Sequence, residues 1–324
     1  MLPSVMVSPE NTSVRSISDI YAKARIVQRP VISIEFFPPK TKKGEDRLFQ
    51  ETLPLLSKTQ PDFCSVTYGA GGNTRSKTLQ VVDLIQRSYS ITGLAHLTCI
   101  SSTKDEIEQF LNDAVSLGIK NILALRGDVP RETSEFVPPS HGFNYAYQLI
   151  NLIRKQGDFS IGAAGYPESH ISCTEGKYVD WSRVKDKIDH GAQFILTQLF
   201  FDNADYFRFV DHMTNRLGVT VPITPGILPI LSATQVRKFA SLCGATLPAN
   251  LLSRLNDLEH DDKSNLKLEV VDRKFRGTNF IYTLKTLSNL LIPVFVHSHH
   301  IHQHEVDEKF GIKRPINIDH IVCF

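Results

Sequence analysis

Several polar side chains stand where an apolar run of the sequence stops. The first is Glu35, set between Ile34 and Phe36-Phe37 and followed by Pro38-Pro39. Side chains alternate across a strand. Ile32, Ile34 and Phe36 therefore share one face and are expected under a layer of helices, while Ser33 and Glu35 point to the other face, into a barrel. A carboxyl in such apolar company is poorly solvated, which favours the neutral acid and suits a proton donor near neutral pH. The same pattern also fits a structural carboxylate that caps the next helix or pairs with an arginine.

Asp128 follows Arg126-Gly127 at the end of IKNILALRG. It reads as a carboxylate facing a cofactor or a developing positive charge, or as a turn or N-cap residue. Gln198 lies in the otherwise apolar Thr-Gln-Leu-Phe-Phe, where a buried amide must find partners, either a ligand or a second loop. His96 in AHLTC reads as a satisfied core histidine or as a phosphate or cofactor contact. Thr67 and Tyr166 close two further runs.

The elements that must position these residues form a repeating pattern. Eight short β-branched or aromatic runs occur: VISIEFF (31–37), DFCSVTY (62–68), GLAHLTC (93–99), IKNILALRG (119–127), FSIGAAGY (159–166), QFILTQLF (193–200), VTVPITPG (219–226) and TNFIYTL (278–284). Segments long enough for crossover helices separate them, as parallel strands require. Thr103 and Glu106 have the spacing of a capping box, Ile107, Phe110, Leu111, Ala114 and Val115 mark one apolar face, and Gly118 supplies a left-handed stop. Asp180 to His190 ends in the same way at Gly191, and Ser232 to Cys243 at Gly244. Eight such alternations predict an α/β fold, a (β/α)8 TIM barrel whose active site gathers at the C-terminal strand ends. An open doubly wound sheet would announce itself by GxGxxG, and the nearest match, Gly69-Ala-Gly71-Gly72, lacks that spacing.

Composition narrows the function classes. The 324 residues carry 36 Lys+Arg against 34 Asp+Glu, a net charge of +2, which gives no whole-chain reason to expect nucleic acid or an anionic membrane as partner. With 41% hydrophobic and 22% charged residues the chain reads as globular. It has no apolar run of membrane-spanning length, and its start lacks the basic-then-apolar pattern of a secretory signal. Five scattered cysteines without CxxC suggest a reduced, cytoplasmic setting. The stretch from His297 to His304 holds five histidines, but no known ligand spacing, so no specific metal site is expected.

Taken together, the strand-end segments resemble the methylenetetrahydrofolate reductases. IEFFPPKT (34–41), SVTYGAGG (65–72), HLTC (96–99), IKNILALRGD (119–128), GFNYA (142–146), AAGYPESH (163–170), GAQFILTQLFFD (191–202), PGILPI (225–230) and FIYTL (280–284) occur in the family's order. The resemblance implies a flavin-dependent reduction of 5,10-methylenetetrahydrofolate to 5-methyltetrahydrofolate. NADH or NADPH reduces FAD and leaves, and the folate then takes the hydride at the same face. It implies Glu35 as general acid for opening the imidazolidine ring, Asp128 as the carboxylate favouring the resulting iminium cation, and Gln198 as a substrate contact beside the flavin. Gln235, Phe239 and Leu284 fall among the substrate-side positions. For FAD the matching positions are Thr67, His96, Arg126, Gly127 and Asp128, then Tyr145, Ala146, Tyr166, His170 and Lys187. Arginine, lysine and histidine suit the phosphates and the tyrosines suit the rings.

Three departures stand out. The helix before the eighth strand looks about ten residues short, several turns' worth. FIYTL is followed by Lys285-Thr286 where the family usually has Asn-Arg, and His170 is followed by Ile171 instead of Pro. The domain reading is an N-terminal extension (1–30), a catalytic barrel (31–292) imperfect near its last helix and strand, and a divergent histidine-rich tail (293–324). No S-adenosylmethionine-binding regulatory domain is expected, and a homo-oligomer is allowed. The alternative function is a flavin- or folate-binding relative with impaired turnover. A metal-dependent hydrolase on the same barrel would need His and Asp at the strand ends, which hold Glu, Thr, Asp, Tyr and Gln instead.

Overall fold

The computed structural model describes residues 14–39, 41–68, 75–128, 139–230, 232–260, 266–276, 279–286, 291–297, 309–312 and 321–323, with side chains up to residue 256 apart from that of Arg75. The chain divides into two compact units. The first comprises Met1–Pro229, Lys238–Thr246 and Asp319–Phe324, and the second Ile230–Arg237 and Leu247–Ile318.

Seven parallel strands build the first unit: β1 (Ser33–Phe36), β2 (Phe63–Val66), β3 (Thr92–Thr98), β4 (Asn121–Leu125), β5 (Ser160–Gly165), β6 (Phe194–Leu199) and β7 (Ile223–Gly226). They pair in sequence order. Helices α1 (Ile17–Ile26), α2 (Lys42–Arg47), α3 (Leu53–Leu56), α4 (Arg75–Tyr89), α5 (Lys104–Ser116), α6 (Ala146–Gln156), α7 (Lys177–Asp189) and α8 (Asn203–Asp211) precede β1 or link the strands. This is the expected TIM-barrel-like α/β architecture. Thr103 and Glu106 form the capping box of α5, and Gly118, Gly191 and Gly244 take φ of +69°, +123° and +72°. Of the apolar face expected on α5, Ile107, Phe110, Leu111 and Ala114 are buried, whereas Val115 is exposed and stands off that face.

Strand alternation sorts the side chains into two layers. Ile34, Phe36, Cys64, Val66, Ala95 and Leu97 join the helix-facing core, whereas Phe63, Leu94, Leu123, Phe194 and Leu196 pack together inside the curl of the sheet. Ile17, Ile20 and Tyr21 of α1 complete that inner cluster. The helix is pinned by polar contacts to strand starts. Ile17 N donates to Asn121 Oδ1 at 2.8 Å, Ser18 N to Ser160 Oγ at 3.2 Å, and Tyr21 Oη lies 2.6 Å from Thr224 Oγ1. Burying each of these large apolar side chains is worth about 1.5–3 kcal/mol. Helix α1 thus covers the end where β4 and β5 begin, and the opposite, C-terminal end carries the polar residues. What reads in sequence as an extension is in this stretch a structural plug.

Three expectations are corrected. Ile32 precedes β1 and is 56% exposed, its backbone N–H held by Asp62 Oδ2 at 2.9 Å, so it takes no place under the helices. The segment read as a short helix before the last strand is a strand, β8 (Leu266–Arg276). The run expected as the eighth barrel strand is β9 (Asn279–Thr286), which pairs antiparallel with β8 and with β10 (Leu291–His297). With β11 (Lys309–Ile312) these form a separate four-stranded sheet, in the order β10-β9-β8-β11. Beside β1 runs β12 (Ile321–Cys323), antiparallel, with Glu35 opposite Val322. The second unit also holds α10 (Ala249–His260), while α9 (Ala233–Cys243) follows β7. Most of the histidine-rich stretch lies outside the described residues. No helix among those described is long and apolar enough to cross a membrane.

Candidate active site

Three adjacent strands each turn one polar group inward. Glu35 on β1 is in register with Ser65 on β2, and His96 is on β3. All three are buried, at 7%, 0% and 5% exposure. Ser65 Oγ donates to Glu35 Oε2 at 3.2 Å. His96 Nε2 lies 3.2 Å from the same oxygen, within ion-pair distance but off the line of a hydrogen bond. Alternation therefore placed Glu35 correctly. Ser65 carries no sequence signal beyond sharing that alternation, and the reading overlooked it.

A second group gathers beyond β4, β5 and β6. The Arg126 guanidinium donates from Nε to Asn144 O at 3.1 Å, and the Arg126 carbonyl accepts from Ile100 N at 2.9 Å. Gly127 has φ +84°, and a Cβ there would stand 2.9 Å from Thr98 Cβ. Asp128 is exposed. Its charge acts on Tyr166, His170 and Cys243.

Tyr166 is the hub of this group. Its ring meets His170 edge-on at 4.7 Å, and Lys187 Nζ stands 5.7 Å from its centroid. Its carbonyl accepts from Trp181 Nε1 at 2.9 Å. Burial, with Asp180 and Asp128 adding to it, raises the phenol above its ordinary range. Lys187 donates to the Ala164 carbonyl at 2.6 Å, and burial lowers its ammonium to about 8 despite the charge of Asp180. His170 is lowered by burial. Its Nδ1 accepts from Ser172 N at 3.1 Å, so the neutral ring carries its proton on Nε2 and offers a donor there. Asp180 is buried and accepts from His170 N at 3.0 Å. It sits seven residues before Lys187, on the same face of α7, and that spacing is the signal that could have found it.

Gln198 lies half-buried at the end of β6, its Oε1 accepting from Leu199 N at 2.9 Å. It lines a small cleft with Tyr166, Ser169 and Cys243. Cys243 links the groups: burial pushes its thiol up to about 11, and the charges of Asp128 and Glu35 both add to the rise. Phe239 packs against the buried cluster of Leu199 and Leu228, as do Phe37 and Phe201. Thr67 follows β2, its N–H donating to Phe36 O at 2.9 Å. Tyr145 stands 55% exposed, stacked on Tyr147 at 5.9 Å, and Ala146 begins α6. Gln235 and Leu284 belong to the second unit.

The family profile described as Methylenetetrahydrofolate reductase matches residues 20–273, more than half of the chain and all seven parallel strands. The chain belongs to the methylenetetrahydrofolate reductase family. A "Probable methylenetetrahydrofolate reductase (NADH)" of Oryza sativa subsp. japonica is 38% identical over 246 residues, 73% of this chain and 41% of that protein. The "5,10-methylenetetrahydrofolate reductase" of Escherichia coli (strain K12) is 37% identical over 237 residues, 73% of this chain and 77% of that one. The chain thus spans about two fifths of the length of the plant relatives it matches and over three quarters of the bacterial one. Among solved structures, an uncharacterized protein from Clostridium thermocellum that binds two copies of 5-methyl-5,6,7,8-tetrahydrofolic acid superposes with a TM-score of 0.45 at 18% identity, over 73% of this chain and 79% of that one. The family match ends inside β8, before the run expected to supply Leu284.

Proposed function

We propose that this member of the methylenetetrahydrofolate reductase family reduces 5,10-methylenetetrahydrofolate to 5-methyltetrahydrofolate with NADH or NADPH, in two half-reactions joined by FAD. The observation that carries the reading is the buried, inward Glu35, held on its inner side by Ser65 and His96. A carboxyl in that position can protonate a ring nitrogen of the folate as its C–N bond opens. Asp128 supplies a negative charge near the cleft, which favours the cationic iminium that results. Gln198 offers an amide to orient the pterin, and the Phe239 ring offers a stacking face.

The donor set fits a flavin dinucleotide. Arg126 and Lys187 are cations on either side of Tyr166 in sequence, and His170 offers an N–H from a neutral ring. Gly127 packs its backbone against Thr98, where no Cβ would fit, and so fixes the turn that carries Arg126 and Asp128. Thr67, His96, Tyr145 and Ala146 complete the residues that would hold it. When bound, FAD supplies the hydride relay between nicotinamide and folate. The chain's own part is to bind the phosphates, exclude water around Glu35 and hold one acidic proton.

A second reading is a flavin- or folate-binding relative without turnover, favoured by the run 280–284 standing outside the barrel sheet. A single experiment separates the two. Purified protein carrying FAD should bleach on anaerobic addition of NADH or NADPH and regain its colour on addition of methylenetetrahydrofolate. Bleaching without recovery, or no bleaching, supports the second reading against the first.

A further inference from the structure

Both inner contacts of Glu35 fall on one of its oxygens. Ser65 Oγ donates to Oε2, and His96 Nε2 approaches Oε2. Oε1 receives no donor among the described residues. We infer that Ser65 and His96 are positioning residues that reserve Oε2 for the barrel interior, so that the acidic proton of Glu35 resides on Oε1 and is delivered to substrate from there. This inference rests on the proposed reductase activity for its substrate and on the geometry for its residues.

The argument is one of hydrogen-bond capacity. A neutral carboxyl has one O–H donor, and its other oxygen is acceptor-only. An oxygen that already accepts from a serine hydroxyl in a dry interior is the better carbonyl oxygen, because protonating it would force that hydroxyl to reverse and its hydrogen to give up this acceptor. The proton therefore stays on Oε1. In the transfer, the Oε1–H bond breaks and the proton passes to the folate nitrogen that takes the electron pair of the cleaving C–N bond. The carboxylate formed keeps its donor from Ser65, and a donor on an ionised acceptor is worth about twice a neutral one. The anchor thus strengthens as the proton leaves. That is the difference between acid and transition state on which catalysis depends.

The test uses Ser65→Ala and Ser65→Thr, the second of which keeps a hydroxyl donor. Recovery of colour with methylenetetrahydrofolate should slow about tenfold in Ser65→Ala, the weight of one hydrogen bond to a charged group. Ser65→Thr should stay within about threefold of the parent, since it keeps the donor. Added to Glu35→Gln, Ser65→Ala should slow recovery no further, because a positioning residue acts only through the group it positions. The second readout needs no turnover: a urea-unfolding cycle of Ser65→Ala and Glu35→Gln should show coupling of about fivefold or more in the unfolding constant. Parent-like recovery in Ser65→Ala, or additive effects in either cycle, overturns the anchor. If the parent protein itself fails to recover, the reductase reading falls, and the unfolding cycle alone decides whether Ser65 holds Glu35.

Discussion

Lys187 Nζ donates to the Ala164 carbonyl at 2.6 Å and stands 5.7 Å from the centre of the Tyr166 ring. The ammonium is carried into the barrel wall, where burial lowers it from 10.5 to about 8. The folded chain therefore holds fewer protons than the unfolded one between those two values. Stability associated with this residue is low below about pH 8 and rises as the pH climbs toward the unfolded value. In urea unfolding, the parent protein should gain stability relative to Lys187→Met from about pH 8 to about pH 10. A difference that is flat across that window would contradict the burial account.

Gly127 is needed for its shape. Its φ of +84° is costly for any other residue, and an added Cβ would meet Thr98 Cβ at 2.9 Å. Gly127→Ala should lower stability by about 1–3 kcal/mol and displace Arg126 and Asp128 on either side of it. Urea unfolding checks the first effect. Unchanged stability would mean that this strand end relaxes freely.

Asp128 is exposed, yet its charge reaches Tyr166, His170 and Cys243. Asp128→Asn keeps the shape and removes the charge. The folate half-reaction should slow by about tenfold or more, beyond any slowing of the nicotinamide half-reaction, because only the former builds a cation on the substrate. Stopped-flow absorbance separates the two steps. Equal slowing of both would remove the electrostatic role.

Tyr21 joins α1 to β7 through its 2.6 Å contact with Thr224. Burial, partly offset by that bond, raises its phenol to about 12. Tyr21→Phe leaves the threonine hydroxyl without this partner and should cost about 1–2 kcal/mol in urea unfolding. A neutral effect would show that this contact adds nothing to the hold on the plug.

The contrast between the start and the end of the chain shows what a sequence makes legible. Glu35 could be placed because a two-residue period fixes a side chain's face once the strand exists. The α5 cap could be placed because Thr103 and Glu106 satisfy each other locally. The pairing partner of a strand is not local. Asn279–Thr286 has the composition of a barrel strand, and nothing within those residues distinguishes β7 from β8 as a neighbour. The β8 segment did carry a signal, the alternation Leu266-Lys267-Leu268-Glu269-Val270, which the expectation of a helix overrode. At the site, the strand-end polar residues were readable. Ser65 and Asp180 were not picked out, because their importance lies in what they touch across strands and loops: Glu35 in one case, the His170 backbone in the other.

The central claim is that Glu35 supplies the proton for folate reduction and takes no part in the reduction of the flavin. Anaerobic single-turnover absorbance of Glu35→Gln tests it most directly. The variant should hold FAD and bleach with NADH or NADPH at close to the parent rate. Recovery with methylenetetrahydrofolate should fall by about 100-fold or more, the range of a lost general acid. Recovery at the parent rate would contradict the account.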